Sequence, residues 1–212
     1  MDFRIGKEIQ DYCVTHSSTP EEVLYQLERE THLKALSPHM ISGPLLGNFL
    51  KMISKMVAPK KVLEVGTFTG YSAICLASGL NEGGHLWTVE QNFELKTIIE
   101  KYILLSGNHK KITVIYGKFE ELIDTIPGDI DLAFLDAGKR EYDLHFELIL
   151  KKLKSGGWLL IDNVLWSGKV VQQEMDKDTQ LIRAFNKKIA EDRRVEKLLL
   201  PIRDGIYMIQ KK

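Results

Sequence analysis

Four apolar segments of this sequence end in acidic or amide residues that could bind a ligand or a metal ion. These residues are Glu64, Glu90, Asp136 and the pair Asp162-Asn163. A strand end is often polar simply because it meets water, but core packing requires none of these groups. Two carboxylates and an amide oxygen are hard ligands that suit Mg²⁺, Mn²⁺ or Ca²⁺ rather than zinc. Asp136, Asp162 and Asn163 together therefore predict a divalent-cation site.

A glycine turn follows the first of these segments. Gly66 and Gly70 are separated by three residues, and the small apolar segment 73–77 comes next, which predicts a strand, a tight turn and a helix. The dinucleotide fingerprint G-x-G-x-x-G is absent, which argues against a dinucleotide-dependent oxidoreductase. Glu90 ends the second strand, where an acid commonly binds a ribose diol. This combination favours an adenosine ligand without phosphates, such as S-adenosylmethionine (SAM), although glycine turns also occur for packing alone.

The elements that must position these residues alternate between strands and helices. This alternation predicts an α/β fold, a Rossmann-like and mostly parallel sheet flanked by helices, with ligands at the carboxyl ends of the strands. The last two strands are predicted to form an antiparallel pair at one edge of the sheet. The predicted strands are 62–65, 86–90, 112–117, 130–136, 158–163, 195–201 and 205–210, with a turn at 155–157 before the fifth strand. The predicted helices of the core are 73–77, 92–105, 120–126, 142–153 and 179–190.

A helical preface precedes the first strand. Helices are predicted at residues 5–14, from a start at 17–22 to about residue 31 or 36, and at 45–56. The start at 17–22 combines hydroxyl caps, Pro20 in the first turn and early acids. We predict one domain, 1–212, with the preface at 1–58 and the α/β core at 59–212. The apolar residues Leu24, Leu27, Leu46 and Phe49 of the preface suggest a lid, extra core cover or a dimer surface.

Composition restricts the class of protein. The chain has 212 residues, 44% of them hydrophobic, and 29 basic residues balance 29 acidic ones. Zero net charge disfavours a nucleic-acid-binding role. Cys13 and Cys75 give no disulfide framework, and the six histidines show no metal-ligand spacing. Neither a signal peptide nor a membrane-spanning run is evident, so we expect a cytoplasmic protein without membrane association.

Three motifs resemble the cation-dependent O-methyltransferases, the family that includes caffeoyl-CoA O-methyltransferase and, more distantly, catechol O-methyltransferase. The motifs are E-V-G-T-F-T-G-Y-S at 64–72, F-L-D-A-G-K-R-E-Y at 134–142 and D-N-V-L-W-S-G-K-V at 162–170. Their order and distances fit the family, and the resemblance extends over nearly the whole chain. The sequence is similar to the small bacterial members, and such relatives imply a homodimer.

The resemblance also implies roles for individual residues. Asp136, Asp162 and Asn163 match the metal ligands, with Mg²⁺ as the expected cation. Lys139 matches a base near the acceptor hydroxyl, with Asp136 beside it as the second catalytic residue. The positions that match the SAM site are Ser42, Glu64, Gly66, Thr67, Ser72, Glu90, Gly117, Lys118, Phe119 and Asp136. The positions that match the acceptor pocket are Met40, Lys139, Trp166 and Ser167.

The predicted function is cation-dependent O-methylation of a small aromatic compound with two adjacent hydroxyl groups. Gly138 departs from the family pattern, because many members carry an acid there. The preface also differs from that of the plant enzymes, so caffeoyl-CoA is not carried over as the substrate. Two alternatives stay open, a methyltransferase acting on another acceptor such as RNA and a SAM-binding module without catalysis.

Overall fold

The computed structural model describes residues 6–173 and 176–212 and contains a seven-stranded sheet. Its strand order is β3-β2-β1-β4-β5-β7-β6. The strands are β1 Lys61–Val65, β2 His85–Glu90, β3 Ile112–Tyr116, β4 Ile130–Leu135, β5 Leu153–Ile161, β6 Val195–Leu200 and β7 Ile206–Lys211. The predicted α/β architecture is confirmed.

The register of the parallel strands brings the predicted site residues to one edge. Val65 at the end of β1 pairs with Val89 of β2 on one side and with Leu135 of β4 on the other. Leu135 in turn pairs with Ile161 of β5. The residues that follow these strand ends therefore lie in a row, at the point between β1 and β4 where the strand order reverses.

The predicted antiparallel pair closes one side of the sheet. β7 lies between β5 and β6 and runs antiparallel to both. One boundary in this region was predicted incorrectly. We expected a turn at 155–157, but these residues belong to β5, which begins at Leu153 and has an irregular register opposite the start of β4. The glycines there are accommodated within an irregular strand instead of ending one.

Eight α-helices flank the sheet within the described residues. They are α1 Lys7–Thr15, α2 Glu22–Lys34, α3 Gly43–Val57, α4 Tyr71–Ala77, α5 Lys96–Leu105, α6 Phe119–Leu122, α7 Tyr142–Lys152 and α8 Lys177–Glu191. The predicted start of α1 at Ile5 lies outside the described residues. The predicted start of α2, with a hydroxyl cap and Pro20 in the first turn, is wrong. The helix begins after Glu21, which makes no side-chain capping bond, and Pro20 lies before the helix.

Two apolar clusters cover the two faces of the sheet, as alternating side chains along each strand require. Leu63 of β1 packs with Phe146 and Phe185 from α7 and α8, whereas Val62 packs with Leu46 and Ile99 from α3 and α5. The preface residues that suggested a dimer surface have a different role. Leu24, Leu27 and Leu46 are buried in this chain's own core and Phe49 is partly buried against it, so they cover the sheet.

No helix in the described part of the chain is long and apolar enough to cross a membrane.

Candidate functional site

The glycine turn after β1 lies against the residue that follows β4. Gly66 has a φ of 103°, and a Cβ atom there would overlap the backbone carbonyl of Asp136. The N–H of Gly66 donates to the carbonyl of Val89, and the N–H of Asp136 donates to the carbonyl of Val65 at 2.9 Å. Only glycine permits this approach, so the turn and Asp136 form one rigid unit.

Glu90 holds the far side of the same turn. Its Oε2 accepts the backbone N–H of Phe68 at 2.7 Å, and its Oε1 accepts that of Asn92 at 2.8 Å. The side chain is buried, and burial raises the pKa of this carboxyl. Each carboxylate oxygen has two lone pairs, so Glu90 keeps acceptor capacity for the hydroxyl groups of a ligand. Its predicted role as a ribose-binding acid is compatible with this position.

Glu64 is fully buried beneath the turn. Its Oε2 accepts the hydroxyl of Thr88 at 2.5 Å, and the Thr88 hydroxyl also contacts that of Thr67. Burial, as the largest cause, raises the pKa of Glu64 to about 8. The other oxygen, Oε1, has no partner at hydrogen-bond geometry within the described residues, although the Ser72 hydroxyl is close enough to oppose the rise in pKa. A buried carboxyl with a free acceptor oxygen suits a ligand that brings a donor group or a positive charge.

A pocket opens above the turn and joins the preface to the core. Several residues predicted for the cofactor site and one predicted for the acceptor pocket line it together. They are Met40, Ser42, Gly66, Thr67, Ser72 and Asp136. Ile41, Phe68, Thr69 and Tyr71 complete the lining. The structure therefore gathers, on one pocket, residues separated by almost a hundred positions in the sequence.

An oxygen-rich cluster adjoins this pocket at Asp136. Lys139 Nζ lies 3.1 Å from Asp136 Oδ1, 2.7 Å from Asn163 Oδ1 and 2.6 Å from the hydroxyl of Tyr142. These three bonds use all the donors of an ammonium group. The Tyr142 hydroxyl donates to the backbone carbonyl of Asp162 at 3.0 Å. Oxygens of Asp136 and Asn163 thus converge on one cationic centre.

Asp162 completes the predicted metal-ligand set. Burial, together with the neighbouring charge of Asp136, raises its pKa to about 7, whereas Arg203, the Asn163 backbone and Lys139 oppose that rise. No group of three His, Cys, Asp or Glu side chains suited to a metal ion occurs among residues 6–173 and 176–212. The predicted set contains two carboxylates and one amide, so it depends on Asn163. The neighbouring charges of Asp136 and Asp162, and the Asp136 and Asn163 oxygens that Lys139 bridges, are of the types that a divalent cation takes as ligands.

Other predicted site residues lie further out. Gly117, with a φ of 143°, and Lys118 form the loop after β3, and the Lys118 side chain is exposed beside Glu121. The Phe119 side chain packs in the core edge-on to His145, so this residue offers a ligand only its backbone. Trp166 and Ser167 follow β5 with positive φ angles; Trp166 packs partly on the core and Ser167 is exposed.

Four residues that hold the site together were missed by the sequence analysis. Thr88 binds Glu64, Tyr142 binds Lys139, and Arg203 and Asp204 bind the loops on either side of the site. Asp204-Gly205 gave only a turn signal in the sequence. Thr88 lies inside a strand two residues before Glu90, so the two side chains face the same side of the sheet. This spacing was the one indication of its role available in the sequence.

Comparisons with known proteins agree with this geometry. A family model described as O-methyltransferase matches residues 14–212. The chain is 33% identical to a probable caffeoyl-CoA O-methyltransferase 2 of Dictyostelium discoideum over 97% of the chain and 92% of that protein. It is 34% identical to a caffeoyl-CoA O-methyltransferase 1 of Zea mays over 96% of the chain and 84% of that protein. A solved O-methyltransferase of Bacillus cereus in complex with SAH superposes with a TM-score of 0.88 at 26% identity, covering 97% of both chains.

Proposed function

This chain belongs to the O-methyltransferase family, and we propose that it transfers the methyl group of SAM to a hydroxyl of a small aromatic acceptor. We further propose that the acceptor carries two adjacent hydroxyl groups and that the reaction needs a divalent cation, with Mg²⁺ as the first choice. The similar Bacillus cereus enzyme, which was solved with SAH, supports the choice of cofactor.

One observation carries the proposal: Asp136 belongs to both halves of the site. Its backbone carbonyl touches Gly66 in the turn, and its side chain binds Lys139 in the oxygen cluster. A methyl donor above the turn and an acceptor oxygen at the cluster would therefore be neighbours on one rigid sheet edge. Holding two reactants in line in this way can lower a barrier by ~7–11 kcal/mol in favourable systems.

The cofactor half assigns roles to this chain's own groups. We assign the ribose to Glu90, which the Phe68 and Asn92 N–H groups hold in place. The free oxygen of Glu64 and the pocket-lining Ser72 and Thr67 would bind the methionine portion. The loop at Gly117 and Lys118, with the Phe119 backbone, would border the adenine.

The acceptor half would bind the cation through Asp136, Asp162 and Asn163. When bound, SAM supplies a methyl group on a positively charged sulfur, and a divalent cation lowers the pKa of the hydroxyls it holds. In its neutral amine form, Lys139 would take the acceptor proton, and its position is fixed by Tyr142 and Asn163. Met40, which is 55% exposed at the pocket rim, would border the acceptor together with Trp166 and Ser167.

We also propose a homodimer in the cytoplasm. The large apolar side chains Leu33, Leu36, Met52 and Met56 of the preface are 75%, 97%, 65% and 78% exposed, which supports an interface that involves the preface. Both cysteines are free, as suits a reducing compartment. Light scattering on the purified protein would measure the mass directly, and a mass of one chain at micromolar concentration would contradict the dimer.

The test of function is a methylation assay followed by mass spectrometry. Purified protein, SAM and a panel of vicinal dihydroxy aromatics are mixed with Mg²⁺ or with EDTA. We expect a mass gain of one methyl group that EDTA abolishes. Methylation undiminished by EDTA would refute the cation, whereas SAM binding without any methylated aromatic would favour another acceptor, such as RNA, or a binding role.

A further inference from the structure

The turn between β6 and β7 lies between the two loops that border the acceptor half. Arg203 donates from Nη1 to the carbonyl of Ser42 at 2.5 Å and from Nη2 to that of Ile41 at 3.3 Å. These two carbonyls belong to the preface loop that lines the pocket. A residue near the end of the chain thus ties down a segment about 160 positions earlier, and the guanidinium fork suits two adjacent acceptors.

The next residue binds the loop on the opposite side. Asp204 accepts the Asn163 Nδ2 group on Oδ2 at 3.3 Å and the backbone N–H of Ser167 on Oδ1. Its backbone carbonyl accepts the N–H of Leu165 at 2.8 Å. Gly205 makes this approach possible, because a Cβ atom there would overlap the Leu165 side chain.

These bonds fix which way the Asn163 amide faces. Lys139 Nζ has only donors and the Asp204 carboxylate has only acceptors. The carboxamide satisfies both when its oxygen faces Lys139 and its nitrogen faces Asp204. The reversed amide would place a donor against the ammonium and an oxygen against the carboxylate. Asp204 therefore selects the orientation that offers the cluster an oxygen.

The loop that Asp204 holds is strained. Asn163, Trp166 and Ser167 have φ angles of 59°, 49° and 53°, which non-glycine residues rarely adopt. Such conformations are unfavourable and persist only where surrounding contacts impose them. The Asp204 carboxylate and backbone supply such contacts at Ser167 and Leu165. Without them, the loop would relax and the carboxamide would lose its fixed direction.

We propose that Arg203 and Asp204 are positioning residues: Asp204 holds the Asn163 oxygen towards the cluster around Lys139, and Arg203 holds the Ile41–Ser42 backbone at the pocket. Neither residue touches the reacting atoms in this proposal. The structural part stands on the contacts alone, whereas its effect on cation affinity rests on the proposed function.

Hydrogen exchange followed by mass spectrometry tests the structural part without cofactor or cation. In Asp204→Ala, we expect faster exchange in residues 163–173 and unchanged exchange in residues 37–42. In Arg203→Met, we expect the reverse pattern. Asp131→Asn is the control, because the Asp131 carboxylate also accepts backbone N–H groups, those of Lys60 and Lys61, but at the opposite end of the sheet. Unchanged exchange in both segments in both variants would overturn the proposal.

Manganese binding, followed by electron paramagnetic resonance without acceptor, tests the effect on the cation. Loss of a group that orients a metal ligand typically weakens metal binding ~10–100-fold. We expect the Mn²⁺ dissociation constant to rise by that factor in Asp204→Ala and by a smaller factor in Asp204→Asn, which keeps one acceptor oxygen. SAM affinity should change less than about twofold, because the glycine turn makes none of these contacts. Manganese affinity equal to wild type in Asp204→Ala would refute the role of Asp204.

The two failures are distinguishable. If wild-type protein binds no Mn²⁺ and methylates equally well in EDTA, the proposed cation is wrong, and the exchange pattern alone decides the positioning role. If Asp204→Ala does not fold, as circular dichroism would show, Asp204→Asn carries the same comparison. Its exchange in residues 163–173 should still exceed that of Asp131→Asn, and equal exchange in the two variants would count against the proposal.

Discussion

The two halves of the site are built in opposite ways. The cofactor half is centred on one short turn, in which Gly66 and Gly70 have positive φ angles of 103° and 96°, and Phe68, with a φ of 50°, donates its backbone N–H to Glu90. The acceptor half is assembled from strand ends and loops far apart in the chain. There, the non-glycine residues Asn163 and Ser167 carry the positive φ angles.

The difference shows where each half obtains its rigidity. The turn is rigid because two of its three positive φ angles fall on glycine, which adopts them without strain, and because Glu90 holds the third, at Phe68, through its N–H. The acceptor half is rigid only while side chains such as Asp204 and Tyr142 bind it from other elements. Substitutions should therefore damage the two halves separately, except at the contact between Gly66 and Asp136.

The largest effect should come from Asp162→Ala, which removes a carboxylate from the acceptor half alone. We expect kcat/KM for methylation to fall by roughly 10³-fold, because cation binding contributes several kcal/mol to such reactions. SAM affinity, measured by calorimetry, should stay within a few-fold of wild type. Asp136→Ala should lose as much activity. Full activity in either variant would contradict the division between the halves.

Lys139→Met should lower kcat by roughly 10²-fold, the lower end of the range for losing a general base. Because the cation would still bind the acceptor, KM should change little. Lys34→Met, at an exposed lysine paired with Glu30, is the control for the loss of a surface charge. A kcat near that of wild type would assign proton removal to another group and leave Lys139 as a ligand-holding residue.

Gly66→Ala should damage both halves at once, because the added Cβ would overlap the Asp136 carbonyl at the contact they share. We expect a loss of about 3 kcal/mol in the free energy of unfolding and weaker binding of SAM. Gly83→Ala is the matched control. Gly83 also has a positive φ, 70°, but nothing lies within 4 Å of its added Cβ. Urea unfolding of the two variants separates the effect of overlap from that of backbone strain. Equal losses in the free energy of unfolding would show that the Asp136 backbone moves to make room for the added Cβ.

Glu64 in the cofactor half should make the stability of the protein depend on pH. Its pKa is about 8 in the folded protein against an ordinary value of 4.5, so the folded state binds the proton more tightly than the unfolded state. The stability this gives is fully present below pH 4.5 and is lost as pH rises through 8. Glu64→Gln should lack this loss of stability at rising pH. The free energies of unfolding of the variant and the wild type should therefore diverge by up to about 1.4 kcal/mol per pH unit. Identical pH profiles in urea unfolding would contradict a buried neutral Glu64.

Most of the architecture could be predicted because apolar periodicity, and the glycines and prolines that mark turns and the ends of elements, are local signals. The strands, their order along the chain and the antiparallel pair at the end were all expected. The errors occurred where several signals competed. Residues 17–22 offered several caps, and the helix used none of their hydroxyls. At 155–157, two glycines suggested a turn, but pairing with neighbouring strands kept them in β5.

The sequence by itself determined the residue types at the strand ends and the glycine turn, because each is encoded within a few neighbouring positions. Its family resemblance is confirmed by the O-methyltransferase model that matches residues 14–212. Only the tertiary structure decided that Glu64 is buried with a free oxygen and that Lys139 bridges Asp136 and Asn163. It alone brought Arg203 and Asp204 to the two loops. Those relations depend on strand register and loop closure, which join residues that no local pattern connects.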